Sequence, residues 1–152
     1  MKARTWLRGL AGVLALFALG HTLGTAVPKV TRGPSEAAVF RTMQSFRFPV
    51  MGFERTYWDF YRGFALIISV LLVLMAMIAW QLSTVSEHDP GRALPMAVTL
   101  QLGCAGLLVL SCLFFFGGPI IMSLAATLCA TVVVMMLARA TLAHRAVPIG
   151  RE

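Results

Sequence analysis

Four long apolar stretches dominate the chain and predict four transmembrane helices. They cover residues 9–27, 63–82, 93–116 and 119–138, and none of them contains Asp, Glu, Lys or Arg. Each is near or above the length of roughly 20 residues with which a helix crosses the hydrocarbon core of a bilayer. Backbone N–H and C=O groups in lipid must be paired within the protein, so such stretches form helices. The sequence therefore predicts an all-α integral membrane bundle of four transmembrane helices, which span residues 7–27, 60–83, 93–116 and 119–140.

The connection between the first two spans, residues 28–59, is long enough to contain structure of its own. Gly33 and Pro34 form a plausible helix start, and apolar side chains then recur on one face at Val39, Phe40, Met43 and Phe46. We expect a short amphipathic helix that lies in the membrane interface. Pro49 and Gly52 end this helix, and the second transmembrane helix is predicted to run from about Phe53 to about Ser83.

The two remaining connections are short and join antiparallel neighbours. Residues 83–92 are polar and typical of a turn, and Pro95 follows at the predicted start of the third helix. Gly117, Gly118 and Pro119 form the whole predicted turn between the third and fourth helices. Residues 1–152 are therefore interpreted as a single four-helix transmembrane domain.

Composition agrees with a membrane location and bears on the partners of the chain. Of the 152 residues, 59% are hydrophobic and 12% are charged, which excludes an ordinary soluble domain. The formal net charge is +7, but the basic residues lie mainly in the termini and the first connection, where lipid headgroups rather than nucleic acid would meet them. The partners we expect are the lipid bilayer and either another membrane protein or a hydrophobic small molecule.

The ends of the chain bear on its orientation. The basic start and apolar run resemble a secretory signal, but the run is longer than a signal core, so we expect the segment to be retained. An orientation with both termini inside places seven basic residues inside and six outside. That margin is small under the positive-inside rule, and the basic start and tail favour both termini inside.

Polar and aromatic residues gather near the end of the first helix and the start of the second. One hypothesis is a pocket at the mouth of the bundle, capped by the loop helix, that binds a lipid, quinone or other hydrophobic small molecule. The other, which we favour, is that these residues are interfacial anchors and that Asp59 pairs with a neighbouring arginine. His21 lies inside an apolar span and needs a partner, for which Asp59 or a tyrosine is suited. The candidate ligand-binding residues are His21, Arg55, Tyr57, Trp58, Asp59, Tyr61 and Arg62.

Other chemistries find little support in the sequence. The three histidines, His21, His88 and His144, lie on different segments, so no metal-ligand spacing is present. The three cysteines lie inside apolar runs without a CxxC pair and are interpreted as packing residues. No catalytic or phosphate-binding motif is found, so no cofactor is expected, and an enzyme is the less favoured interpretation.

Two segments resemble a known group of proteins. Residues 16–24 of the first helix, and residues 52–64 before and within the next predicted helix, resemble those of small bacterial four-helix membrane proteins, loosely similar to the DoxX-like group. The resemblance covers the whole chain in helix number and spacing, and it implies a bacterial inner-membrane location without an assured reaction. We expect a non-enzymatic accessory or structural subunit. The alternative is a bundle that binds or modifies a hydrophobic small molecule.

Overall fold

A computed structural model describes the backbone of residues 2–27 and 30–146, and the side chains as far as residue 143. The elements in chain order are α1 (Ala3–Ala26), α2 (Pro34–Ser45), β1 (Arg47–Val50), β2 (Phe53–Thr56), α3 (Tyr57–His88), α4 (Pro90–Phe114) and α5 (Gly117–Ala146). The prediction of an all-α chain with four long apolar helices is confirmed. The predictions from charge and from the histidines also used four residues whose side chains the structure does not describe. These are Lys29, His144, Arg145 and Arg151.

Helices α1, α3, α4 and α5 are each long and apolar enough to cross a membrane. Within the most apolar 18 residues of each helix, only 22% to 28% of the positions are buried. A soluble protein would cover such apolar surface, because exposed patches of this size drive association in water. The four helices therefore indicate an integral membrane protein.

The chain divides into two compact units. The first, here called the core unit, contains residues 1–17 and 72–152, that is, the first half of α1, the second half of α3, and α4 and α5. Its buried cluster combines large aliphatic side chains with alanines, and small residues let helix backbones approach closely in lipid. The buried members of this cluster are Leu7, Leu82, Ala93, Ala97, Val133 and Leu137.

Helices α4 and α5 pack against each other along much of their length. The Nε2 of Gln101 in α4 donates to the Oγ1 of Thr131 in α5 over 3.2 Å, which pairs two polar groups inside the apolar region. The connection consists of Phe115 and Phe116, so the predicted turn is displaced by two residues. Gly117, Gly118 and Pro119 instead form the first turn of α5, where proline loses no helical hydrogen bond because the first N–H groups of a helix have no partner within it.

The junction between α3 and α4 is shorter than the sequence indicated. The predicted polar turn at residues 83–92 is wrong, because α3 continues to His88 and Asp89 alone separates it from α4. The Asp89 side chain accepts a hydrogen bond of 3.0 Å from the backbone N–H of Arg92, and Pro90 occupies the first turn of α4. A capping aspartate followed by proline starts a new helix without any longer loop.

The second unit, here called the connecting unit, contains residues 18–71. Its β1 and β2 strands form an antiparallel hairpin in which Arg47 pairs with Thr56 and Val50 with Phe53. Met51 (φ 50°) and Gly52 (φ 87°) make the two-residue turn, and two positive φ angles are the signature of a type I′ hairpin turn. The prediction that α3 begins at about Phe53 is therefore wrong by one helical turn, because residues 53–56 pair with β1.

Helix α2 is present where the sequence predicted it. It begins at Pro34, and the Glu36 carboxylate accepts a hydrogen bond of 2.5 Å from the backbone N–H of Arg32, just before the helix. The backbone N–H of Phe46 bonds to the carbonyl of Thr42 at the other end. None of the residues of α2 is buried. One side of the helix is partly covered, and the rest is exposed.

Candidate functional site

A capping box fixes the start of α3 inside the connecting unit. The Asp59 Oδ2 accepts hydrogen bonds of 2.9 Å from both the backbone N–H and the hydroxyl of Thr56. The Asp59 N–H is 3.1 Å from the Thr56 Oγ1, which completes the reciprocal pattern. Thr56 is buried, so this exchange satisfies groups that would otherwise lack partners at the helix start. The Asp59 carboxylate thus serves the local fold.

The arginines near Asp59 do not form the predicted ion pair. Among the side chains that the structure describes, neither Arg55 nor Arg62 has a nitrogen within 4.0 Å of the Asp59 carboxylate. Arg55 donates instead to the carbonyl of Glu54 over 2.9 Å, and its guanidinium lies 5.2 Å from the ring centroid of Phe53. Arg62 is exposed. The interpretation of Asp59 and an arginine as an anchoring pair is wrong, because the Asp59 Oδ2 is bonded to Thr56 and neither arginine reaches the carboxylate.

His21 finds its partner on the backbone of α3. Its Nε2 lies 3.0 Å from the carbonyl oxygen of Ala65, and a carbonyl only accepts, so this contact requires the proton on Nε2. Ala65 is six positions beyond Asp59 on the same helix, which corresponds to about 9 Å along the axis. One turn further along α3, the Thr22 hydroxyl donates to the Ser69 hydroxyl over 2.9 Å. Together these two bonds join α1 to α3 within the connecting unit.

Aromatic rings form a contiguous cluster that extends from the hairpin over the first turns of α3. Phe48 of β1 lies at its centre, with ring centroids 4.8 Å from Tyr57 and 5.9 Å from Phe60. Phe46 stacks on Tyr57 at 6.0 Å. A second group joins α2 to α3, since the Phe40 ring meets Trp58 edge-on at 5.8 Å. Offset-stacked and edge-on contacts at these distances are the preferred geometries of aromatic pairs.

The rings of Trp58 and Tyr61 complete the second group at a centroid separation of 5.3 Å. The structure therefore brings three of the predicted site residues, Tyr57, Trp58 and Tyr61, into contact with rings of the hairpin, α2 or one another. His21 bonds further along α3, at Ala65, and the side chains of Arg55 and Arg62 are exposed. The aromatic members of the predicted site are thus gathered on the first turns of α3, while its basic members are engaged elsewhere or face outward.

An open apolar hollow of about 340 Å³ lies between α2 and the start of α3. Apolar side chains and the two hydroxyl-bearing side chains of Thr42 and Tyr57 line it, which suits contact with hydrocarbon or aromatic groups. The lining residues are Ala38, Val39, Thr42, Met43, Phe46 and Tyr57.

Sequence reasoning missed two parts of this site. Thr56 is a capping residue whose signal, a threonine three positions before an acidic residue at a helix start, stands in the sequence. The hairpin has a weaker signal: glycine occupies the second turn position, but methionine rather than asparagine occupies the first.

Metal binding finds no basis in the described part of the chain, where no three His, Cys, Asp or Glu side chains lie close enough together to hold an ion. The three cysteines are free thiols, and Cys104 is buried. Comparison of the chain with family models, with curated proteins and with solved structures finds no match in any of the three.

Proposed function

We propose that this chain is a non-enzymatic accessory or structural subunit of a larger membrane assembly. One observation carries the proposal: the two ionisable candidates for chemistry, His21 and Asp59, are both engaged by the chain's own backbone, at Ala65 and Thr56. Through the Nε2 of His21 and the Oδ2 of Asp59, both side chains contribute to the local structure.

The exposed surfaces of the long helices support the same proposal. Large apolar side chains are exposed along α3, α4 and α5, among them Trp80, Leu102 and Leu128. Such faces are covered by lipid tails or by the helices of another protein, and association in lipid depends on packing rather than on charge.

Native mass spectrometry of the full chain, extracted gently from its own membrane, tests the proposal. We expect a complex of fixed stoichiometry with a second membrane protein. The double variant His21→Ala with Asp59→Asn, checked for folding by its helix content, should retain that complex, because both side chains act inside the chain. The matched control is Arg62→Gln, which changes an exposed residue of the same segment.

The opposite result would be a chain that carries a small molecule of defined mass and no protein partner, with the molecule lost in the double variant. This result would overturn the accessory role and identify the chemistry of a ligand that depends on His21 or Asp59.

The second candidate function is the binding of a hydrophobic small molecule, a lipid or a quinone. The apolar hollow beside Tyr57 favours this function. Phe46 and Tyr57 stack beside this hollow and offer aromatic surface to a planar ring. If this candidate holds, Met43→Trp should fill the hollow and abolish binding of a ubiquinone analogue in a fluorescence-quenching assay. Met77→Trp, at an exposed position of α3, is the control.

The location we propose is a bacterial inner membrane, with both termini inside and α2 in the interface, in line with the resemblance to small DoxX-like proteins. Labelling of single cysteines introduced at Arg41 and Arg92 by a membrane-impermeant maleimide tests the orientation, in a variant with all three native cysteines replaced by alanine. We expect the Arg41 site to react in intact cells and the Arg92 site to react only after lysis. The reverse pattern would invert the orientation.

A further inference from the structure

The core unit contains a second cavity, of about 460 Å³, where α1 begins, α3 ends and α4 begins. Its lining is divided between polar and apolar groups. The polar residues are Lys2, Arg4, Ser86 and Glu87, and the apolar residues are Ala3, Pro90, Met136, Leu137 and Ala140.

Arg4 is only partly satisfied in this cavity. Its Nη1 donates to the Glu87 Oε2 over 2.6 Å, which joins the start of α1 to the end of α3. Its Nε atom, however, is shielded from solvent and has no hydrogen-bond partner among the described residues. Buried N–H donors are normally paired, so the described residues alone do not satisfy the Arg4 guanidinium.

The charge of the cavity lining favours an anion. Lys2 and Arg4 line it together with a single acid, Glu87, which leaves one net positive charge. The nearby Asp89 does not alter this balance, because its carboxylate is 3.3 Å from the guanidinium of Arg92. Cationic pockets between transmembrane helices at the headgroup level are typical sites for anionic lipid headgroups.

We propose that this cavity binds an anionic phospholipid. The phosphate accepts hydrogen bonds from Arg4 and pairs with Lys2, while an acyl chain lies against the apolar wall formed by Met136 and Ala140 of α5. The apolar wall argues for a lipid rather than a free phosphate, which would leave that surface uncovered. This binding site is separate from the aromatic cluster and does not depend on the proposed accessory role.

Lipid titration of the delipidated full chain, followed by native mass spectrometry, tests the proposal. The probes are phosphatidylglycerol and phosphatidylcholine with identical acyl chains. We expect one phosphatidylglycerol to bind at least about fivefold more tightly than phosphatidylcholine. This factor corresponds to about 1 kcal/mol, the contribution of one basic residue near a headgroup, because the lining has one net positive charge. Lys2→Gln should lower the preference by about fivefold, because it removes one basic residue.

Three further variants separate the parts of the site. Arg4→Gln combined with Glu87→Gln removes the ion pair as a whole, so neither partner is left as an isolated charge, and it should also reduce the preference. Ala140→Trp keeps all charges but fills the apolar wall, and it should abolish tight binding. Arg139→Gln removes an exposed basic residue of α5 that is outside the cavity lining, and it should leave binding unchanged.

Three results would overturn the proposal. The first is equal affinity of the wild type for the two lipids. The second is a loss of preference in Arg139→Gln as large as in Lys2→Gln, which would indicate attraction by the general surface charge. The third is displacement of phosphatidylglycerol by inorganic phosphate together with unchanged binding in Ala140→Trp, which would indicate a site for a free anion.

Discussion

The core unit and the connecting unit are held together by different interactions. In the core unit the buried residues are mainly aliphatic side chains and alanines, such as Leu10, Leu14 and Ala130. Among the described residues of the connecting unit, the buried ones are Ala18, Ala65, Thr56 and Ser69, and two of these four are polar. Hydrogen bonds and aromatic contacts therefore replace aliphatic packing in the second unit. One chain therefore combines a unit stabilised by apolar packing with a unit stabilised by directional contacts.

Truncation of a core leucine should have the largest effect. Leu7 is fully buried (0% exposed) in the core cluster, whereas Leu16 on the same helix is 60% exposed. We expect Leu7→Ala to lower the free energy of unfolding by about 2–5 kcal/mol, because it leaves a cavity in packed surroundings. Leu16→Ala is the matched control, with a small expected effect.

Reversible unfolding of both leucine variants in mixed micelles with increasing sodium dodecyl sulfate measures the difference. Equal losses in Leu7→Ala and Leu16→Ala would contradict the assignment of the core unit to apolar packing.

Loss of the cap at the start of α3 should have the next largest effect on stability. This effect should be confined to the connecting unit. Thr56→Val removes the hydroxyl that exchanges hydrogen bonds with Asp59, and we expect a cost of about 1–2 kcal/mol. Hydrogen exchange of the backbone amides of residues 57–60 should accelerate. Thr42→Val is the control, because the Thr42 hydroxyl only bonds back to the Ala38 carbonyl in its own helix. Unchanged exchange in Thr56→Val would show that the threonine hydroxyl does not stabilise this turn.

The hairpin turn should respond in opposite directions to two substitutions. Gly52→Ala places a side chain at φ 87° and should destabilise the hairpin by about 1 kcal/mol. Met51→Asn should stabilise it, because asparagine followed by glycine is the preferred pair for this turn. The measurement is the exchange rate of the backbone amides in residues 47–56. Destabilisation by both substitutions would contradict the type I′ geometry.

The smallest expected effect is the coupling between Thr22 and Ser69. A double-mutant cycle of Thr22→Val and Ser69→Ala should give a coupling energy of about 0.6 kcal/mol, the average for hydrogen bonds between transmembrane helices. Unfolding by sodium dodecyl sulfate measures it. The same cycle between Thr22 and Thr42, whose hydroxyl bonds within its own helix, should give no coupling. A coupling near zero for Thr22 and Ser69 would remove this bond from the contacts that join α1 to α3.

The spans could be predicted from the sequence because the signal is summed over about 20 residues and does not depend on any single contact. The hairpin could not, because it depends on two positive φ angles, and Met51 is not a typical residue for such a position. The end of α3 is hard to predict for a related reason. Ser83 and Ser86 have polar side chains typical of a turn, yet they are buried within the helix.

The candidate site is predictable in composition but not in contacts. Its aromatic residues stand together in the sequence, and in the structure Trp58 stacks with Tyr61 while Tyr57 belongs to the group of rings around Phe48. The partner of His21 is a backbone carbonyl 44 positions away, which only the relative rotation of two helices determines. The cavity at Lys2 and Arg4 likewise draws its lining from distant segments of the core unit. Local periodicity carries no information on such pairings.

The length of α3 has a consequence for the membranes that this protein fits. A helix of 32 residues is about 48 Å long, about 18 Å more than the hydrocarbon thickness of a typical bilayer. The excess must be taken up by tilting or by extension of the helix ends into the headgroup layers. Asp89 alone joins α3 to α4, so the end of one helix cannot shift in depth without the start of the other. Bilayer thickness therefore acts on both helices at once, and membranes of different thickness would accommodate the protein at different energetic cost.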